Sequence, residues 1–169
     1  WKIDASGVPT EIRDLGAAPT TRPVAIGDVI VFALARGGSS NGELWRSDGT
    51  PDGTARIDGA TPGFTFSAYG QLTAAGNSVF FSAYDDFDGW GLWSANGTAA
   101  GTVRVHGLPS PMEGVSATGG GLLLFVVPTS GDRTAFQVWR SDGTAAGTRR
   151  EVTLDTRYAL FSCTKAFVA

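Results

Sequence analysis

The feature that most constrains this chain is a ten-residue phrase that returns at a nearly fixed interval. It reads Trp45-Arg46-Ser47-Asp48-Gly49-Thr50-Pro51-Asp52-Gly53-Thr54 and returns as Trp139-Arg140-Ser141-Asp142-Gly143-Thr144-Ala145-Ala146-Gly147-Thr148. A looser copy runs Trp93-Ser94-Ala95-Asn96-Gly97-Thr98-Ala99-Ala100-Gly101-Thr102. A worn copy opens the chain with Trp1, Asp4 and Thr10 at the same offsets, Ala5-Ser6 replacing Gly-Thr and Pro9 replacing the second Gly. The four tryptophans step by 44, 48 and 46 residues. A period of that size marks a repeat architecture in which each unit buries its apolar faces only against its neighbours.

Around each copy the same pattern recurs. Two short apolar runs flank a Gly-Asp, Gly-Asn or Gly-Gly pair: Pro23–Ile26 with Val29–Phe32, Leu72–Ala75 with Val79–Phe81, and Val115–Ala117 with Leu122–Phe125. Such pairs between apolar runs signal tight hairpins. A loop then leads to the strand that carries the tryptophan, and the Asp-Gly-Thr turn leads to a charged strand. Each repeat thus reads as a four-stranded antiparallel unit, a-b-c-d. The a strand is rich in small residues (Ala25, Ala74, Ala75, Ala117), as crowding around an axis requires. The b strand is apolar without alternation, which means cover on both faces. The d strand carries Arg56, Asp58, Arg104, Arg149, Arg150 and Glu151, the charge that protects an outer edge.

The expected fold is all-β: a β-propeller of four four-stranded blades, or a four-blade portion of a larger ring. Its units are 22–59, 71–108, 114–152 and a split blade of 157–169 plus 1–15. In the split blade Ala159–Ser162 and Ala166–Val168 supply strands a and b, while Trp1 and Thr10–Leu15 supply c and d. Gly at 24 of 169 residues and charged residues at only 17% suit such a turn-rich fold.

Within the phrase each residue type has a job. Asp48, Asn96 and Asp142 can accept the amide two residues on, an Asx turn. Gly49, Gly97 and Gly143 can take the positive φ that follows. Thr50, Thr98 and Thr144 can tie the loop by their hydroxyls. Gly53, Gly101 and Gly147 lead back into strand d. Each tryptophan is a wedge between blades.

Glu43-Leu44-Trp45-Arg46-Ser47-Asp48-Gly49-Thr50-x-x-Gly53-Thr54 resembles the ELWxxDGTxxGT repeat of large bacterial secreted and surface proteins. The likeness spans the chain as three good copies and one worn one. It implies a propeller and a secreted or cell-surface setting, and it implies no reaction. The turn is also similar to the Asp-box of sialidase-type propellers, a structural hairpin there.

Net charge is −3 with no basic run, so nothing points to nucleic acid, and no apolar run is long enough for a membrane-spanning helix. The single cysteine, Cys163, reads as a small buried hydrophobe. The absence of an initiator Met and of a leader suggests a processed or excised piece.

The most unusual segment is Tyr84-Asp85-Asp86-Phe87-Asp88-Gly89-Trp90-Gly91. Its aromatics Tyr84, Phe87 and Trp90 offer flat apolar faces to a sugar ring, and its carboxylates can accept sugar hydroxyls. Asp85, Asp86 and Asp88 are also candidate Ca2+ ligands, although the EF-hand spacing is absent. The plainer expectation is that Trp90 packs on its sheet while the acids are solvated. The corresponding loops, Arg36–Asn41 and Thr129–Arg133, repeat none of this chemistry. His106, the one histidine, is expected at a solvated edge, and a glycosidase-like pair of Glu113 with the 85–88 cluster is conceivable. The expected function is a non-catalytic extracytoplasmic binding or scaffold module, glycan-recognising or protein-recognising, with no required cofactor. The alternative is a self-assembling subunit, a homo-oligomer or polymer completed between molecules. The glycosidase-like enzyme is the least favoured.

Overall fold

The computed structural model describes residues 1–3, 5–35, 41–57, 64–67, 71–129 and 133–155, with Asn41, 64–67 and 152–155 described by their backbone. Asp4, Cys163, the loops at 36–40 and 130–132, and the strands expected at 159–162 and 166–168 lie outside these residues. Among the described residues every element is a strand, paired antiparallel. Among the described residues no helix is long and apolar enough to cross a membrane.

An N-terminal hairpin joins β1 (Lys2–Ile3) to β2 (Pro9–Thr10). Its register pairs Lys2 with Thr10, one residue tighter than the pairing of Arg46 with Ala55 in the next copy. The worn phrase therefore makes a different turn. The strand expected at Thr10–Leu15 is confined to its first residue.

The first full unit consists of β3 (Val24–Ile26), β4 (Val29–Ala35), β5 (Asn41–Ser47) and β6 (Ala55–Arg56). A second consists of β8 (Thr73–Ala75), β9 (Ser78–Asp85), β10 (Gly89–Ala95) and β11 (Val103–Gly107). The third is a separate sheet of β12 (Glu113–Ala117), β13 (Leu123–Pro128), β14 (Ala135–Ser141) and β15 (Arg149–Asp155). Each repeats the a-b-c-d order. One strand departs from that scheme. β7 (Phe64–Ser67) pairs Asn41 and Gly42 of β5 on one edge and Asp85, Tyr84 and Ala83 of β9 on the other. It thereby joins the first two units into one nine-stranded sheet. β7 takes the part of the first unit's outer edge that the short β6 leaves unpaired, and continues the short β8 along β9.

The units also meet face to face. β3 touches β8, and β8 touches β12, so the small-residue strands adjoin in sequence. Strand alternation assigns one face of each b strand to each neighbour. Val31 and Ala33 of β4 pack with Val79, Phe81, Ala83 and Trp93 of the second unit. Phe80 and Leu92, on the opposite face of that unit, pack with Leu123, Phe125 and Val127 of the third. Phe32, Leu34 and Trp45 face the other way, against Leu15 of the N-terminal segment. Both faces of the first two b strands are thus covered: Val31 to Leu34 and Val79 to Ala83 are all buried. Burying a side chain such as Phe81 contributes roughly 1.5–3 kcal/mol relative to leaving it in water.

Trp45, Trp93 and Trp139 each point back toward the segment or unit that precedes them. Trp45 lies under Arg13, 5.9 Å from its guanidinium, Trp93 joins the core with the first unit, and Trp139 stacks with Phe125 and meets His106. The indole N–H of Trp45 donates to Glu43 Oε2 at 3.0 Å, and that of Trp139 to Gln137 Oε1 at 3.1 Å.

Candidate functional site

Antiparallel order puts the a–b and c–d turns at one end of each sheet and the b–c hairpins at the other. The repeated phrase occupies the first end, and its hydrogen bonds are nearly identical in three copies. The Oδ1 of Asp48 accepts the amide of Thr50 at 2.9 Å and its hydroxyl at 2.7 Å, and Thr50 Oγ1 accepts the Gly53 amide at 3.0 Å. The hydroxyl of Thr54 then donates to Thr50 O at 2.7 Å. Asp142 with Thr144, Gly147 and Thr148 repeats the set, and so does Asn96 with Thr98, Gly101 and Thr102. Gly49, Gly97 and Gly143 sit at φ 87°, 84° and 87°. The second glycine is needed for space: a Cβ on Gly53, Gly101 or Gly147 would collide with the Asp48, Asn96 or Asp142 side chain. These glycines lead back into strand d as expected, and the close approach explains why the position is a glycine.

Ser47 and Ser141 add a second tie, each sharing a hydrogen bond with Thr54 or Thr148 and accepting the amide of Gly49 or Gly143. The third copy has Ala95 there. The hydroxyl of Thr50, then its amide, holds the Asp48 carboxyl below its ordinary range, and Thr144 does the same for Asp142. These aspartates are engaged within their own turns, and neutral Asn96 makes the same bonds. The phrase is a structural device.

The other end carries the 84–91 segment, which forms the β9–β10 hairpin. Tyr84 and Trp90 are direct cross-strand partners, their rings 5.4 Å apart and edge to face at 73°. Trp90 is half-buried against the core shared with the third unit, as the plainer expectation has it. Asp85 departs from the expectation of solvated acids. It is 6% exposed, and its Oδ1 accepts the amides of Phe87 at 2.8 Å and Asp88 at 3.4 Å. Asp88 is held from outside by Arg104, whose guanidinium donates to Asp88 O at 2.8 Å and Trp90 O at 3.0 Å and pairs with Asp88 Oδ2 at 3.6 Å. Arg104 reaches there by lying across Gly91, where any Cβ would strike it. Nothing but its place on a charged strand marked Arg104 in the sequence. Asp86 is exposed, and Phe87 at the tip is 83% exposed.

Asp85, Asp86 and Asp88 share one turn, yet among the described residues no group of three or more His, Cys, Asp or Glu side chains is placed to hold a metal. Asp85 and Asp88 are instead turned to backbone amides and to Arg104. Glu113 pairs with Arg133 at 3.1 Å. His106 is not a solvated edge residue: it is half-buried, its ring 5.5 Å from that of Trp139 at the junction of two units. A groove of about 600 Å³ runs between the N-terminal segment and the first unit, with Trp1, Glu11, Asp14, Ile30 and Phe32 in its walls.

Comparison with family models, with curated proteins and with solved structures finds no match.

Proposed function

We propose that this chain is a non-catalytic binding module of a secreted or cell-surface protein of the ELWxxDGT-repeat type, and that its stacked sheets are blades of a propeller-type array. The in-sequence contacts of the small-residue strands and the back-pointing tryptophans support the blade reading.

The ligand surface is the β9–β10 hairpin, and its ligand class is a glycan. One observation carries this reading: Phe87 is held 83% exposed on a turn that is braced from both sides. A buried Asp85 fixes the turn from within, and Arg104 clasps it from outside. A rigid turn that displays an aromatic ring has little ordering entropy to lose on binding. Beside it stand the partly exposed ring of Tyr84 and the solvated carboxylate of Asp86, an apolar face next to hydroxyl acceptors. That Asp85 and Glu113 are already engaged favours binding over glycosidase chemistry.

Titration with an oligosaccharide panel, followed by the Trp90 indole NMR signal, tests the reading. At least one sugar is expected to shift that signal, and Phe87→Ala is expected to weaken binding about tenfold or more, roughly 1.4 kcal/mol, without lowering the melting temperature. A panel that leaves Tyr84 and Trp90 unmoved overturns it.

A further inference from the structure

The repeated phrase has one chemically open position, and comparing its copies isolates it. Asn96-Gly97 is an Asn-Gly pair, in which the glycine amide nitrogen can reach the side-chain carbonyl carbon because no Cβ shields it. The pairs Asp48-Gly49 and Asp142-Gly143 are closed to this reaction twice over. Their side chains are carboxylates, ionised at neutral pH, and an anion repels a nucleophile. Their glycine amides are also occupied, donating to Ser47 Oγ at 3.1 Å and to Ser141 Oγ at 3.0 Å. Asn96 is neutral, and Ala95 offers the Gly97 amide no such acceptor.

The turn also activates the side-chain amide it holds. Asn96 Oδ1 accepts the Thr98 amide at 3.1 Å and the Thr98 hydroxyl at 2.7 Å. The Gly101 amide donates to Thr98 Oγ1 at 3.0 Å, which leaves the hydroxyl proton to point at Asn96. Both donors meet the oxygen on which negative charge gathers when Cγ is attacked, the arrangement of an oxyanion hole. The Arg46 guanidinium lies 3.3 Å from the carbonyl of Gly97, a positive charge that favours the deprotonated form of the neighbouring amide nitrogen. Asn96 itself is exposed, so water reaches it and ammonia can leave.

We infer that Asn96 is a self-deamidation site, a modification that the turn around it promotes. Hydroxide takes the Gly97 amide proton, and the nitrogen bonds to Asn96 Cγ. The Cγ–Nδ2 bond breaks, and Nδ2 leaves as ammonia after taking a proton from water. The cyclic imide then takes up one water, which breaks the new bond between Gly97 N and Cγ and restores the main chain. The net change is one water in and one ammonia out, with no oxidant or reductant. The product is an aspartate at position 96, which can accept from Thr98 the two hydrogen bonds that Asp48 accepts from Thr50 and Asp142 from Thr144. The neutral copy of the phrase thereby becomes a third acidic one. The reaction requires neither the blade reading nor the glycan reading.

Peptide mass spectrometry of the whole chain, aged in warm, mildly alkaline buffer, tests it by following the exchange of the side-chain amino group for oxygen at Asn96. The folded chain is expected to convert Asn96 at least as fast as the same chain unfolded in urea. Ala95→Ser, which gives the Gly97 amide the acceptor of the other copies, is expected to slow conversion about tenfold in the folded chain and to have no effect in urea. Thr98→Val, which removes one of the two donors to Oδ1, is expected to slow it in the folded chain as well. In the aged native chain the Thr98 amide signal is expected to acquire the acid response of Thr50 and Thr144, as it does in Asn96→Asp. A folded chain that converts more slowly than the unfolded one overturns the inference, and so does an Ala95→Ser chain that converts at the native rate.

Discussion

At the scale of single residues, the turn chemistry of the repeated phrase is the most sharply determined part of the molecule. The carboxylate and the second glycine form one unit, because the glycine leaves the space that the carboxylate fills. Gly147→Ala is expected to displace Asp142 and cost about 1–3 kcal/mol, the range for lost hydrogen bonds and strain. Combining it with Asp142→Ala should cost less than the two separate losses, and a double-mutant cycle on denaturation midpoints checks this. The acid response differs between copies. A carboxylate with a depressed folded pKa contributes stability that is fully present above its ordinary value, 3.8 for Asp48 and Asp142, and is lost as pH falls through the folded value. Amide shifts of Thr50 and Thr144 should therefore move as pH falls below 3.8, whereas that of Thr98, bonded to neutral Asn96, should not. Equal movement in all three would refute a carboxylate origin. Ala95→Ser supplies a hydroxyl that can tie to Thr102 as Ser47 ties to Thr54, and should raise stability by up to about 1 kcal/mol, read as a gain of roughly 2–4 °C in Tm.

At the scale of elements, two strands decide how the units are coupled. Trp93, on β10, is a wedge into the first unit, and Trp93→Ala is expected to destabilise the chain by about 3–5 kcal/mol. β7 is paired on both edges although it falls in the stretch between two repeats. Its amides at Phe64 to Phe66 should show the hydrogen-exchange protection of a sheet interior rather than the fast exchange of a linker. Fast exchange at these amides would mean that the two units are separate sheets in solution. The hairpin of β9 and β10 shows how an element gains rigidity from a neighbour: Arg104 on β11 braces a turn fourteen to sixteen residues away, and it can do so only because Gly91 has no side chain.

At the scale of the whole molecule, the contacts between the described units run from neighbour to neighbour, β3 with β8 and β8 with β12, so stability should divide by position. The first two units share a sheet and a buried core, whereas the third is a separate sheet joined through one core. Phe125→Ala opens that second core and should cost about 3–5 kcal/mol. The loss should fall on the exchange protection of β12–β15 more than on β3–β6, as nearest-neighbour coupling requires. Uniform loss would mean that the stack unfolds as a single cooperative block.

The sequence by itself determined the repeat, the antiparallel hairpins and the identity of each turn residue. These are local matters: Asp48 to Thr54 carry their own bonding partners within a few positions, and the apolar runs alternate or fail to alternate according to what covers them. What lay between distant residues was decided only in three dimensions. β7 became a strand because β6 and β8 are short and leave edges of β5 and β9 to be paired. His106 meets Trp139 because the third unit packs against the second, and Asp85 is buried where its own turn folds onto it and β7 pairs beside it. Arg46 on the carbonyl of Gly97 and Arg104 on the hairpin depend on close approaches that no spacing along the chain encodes.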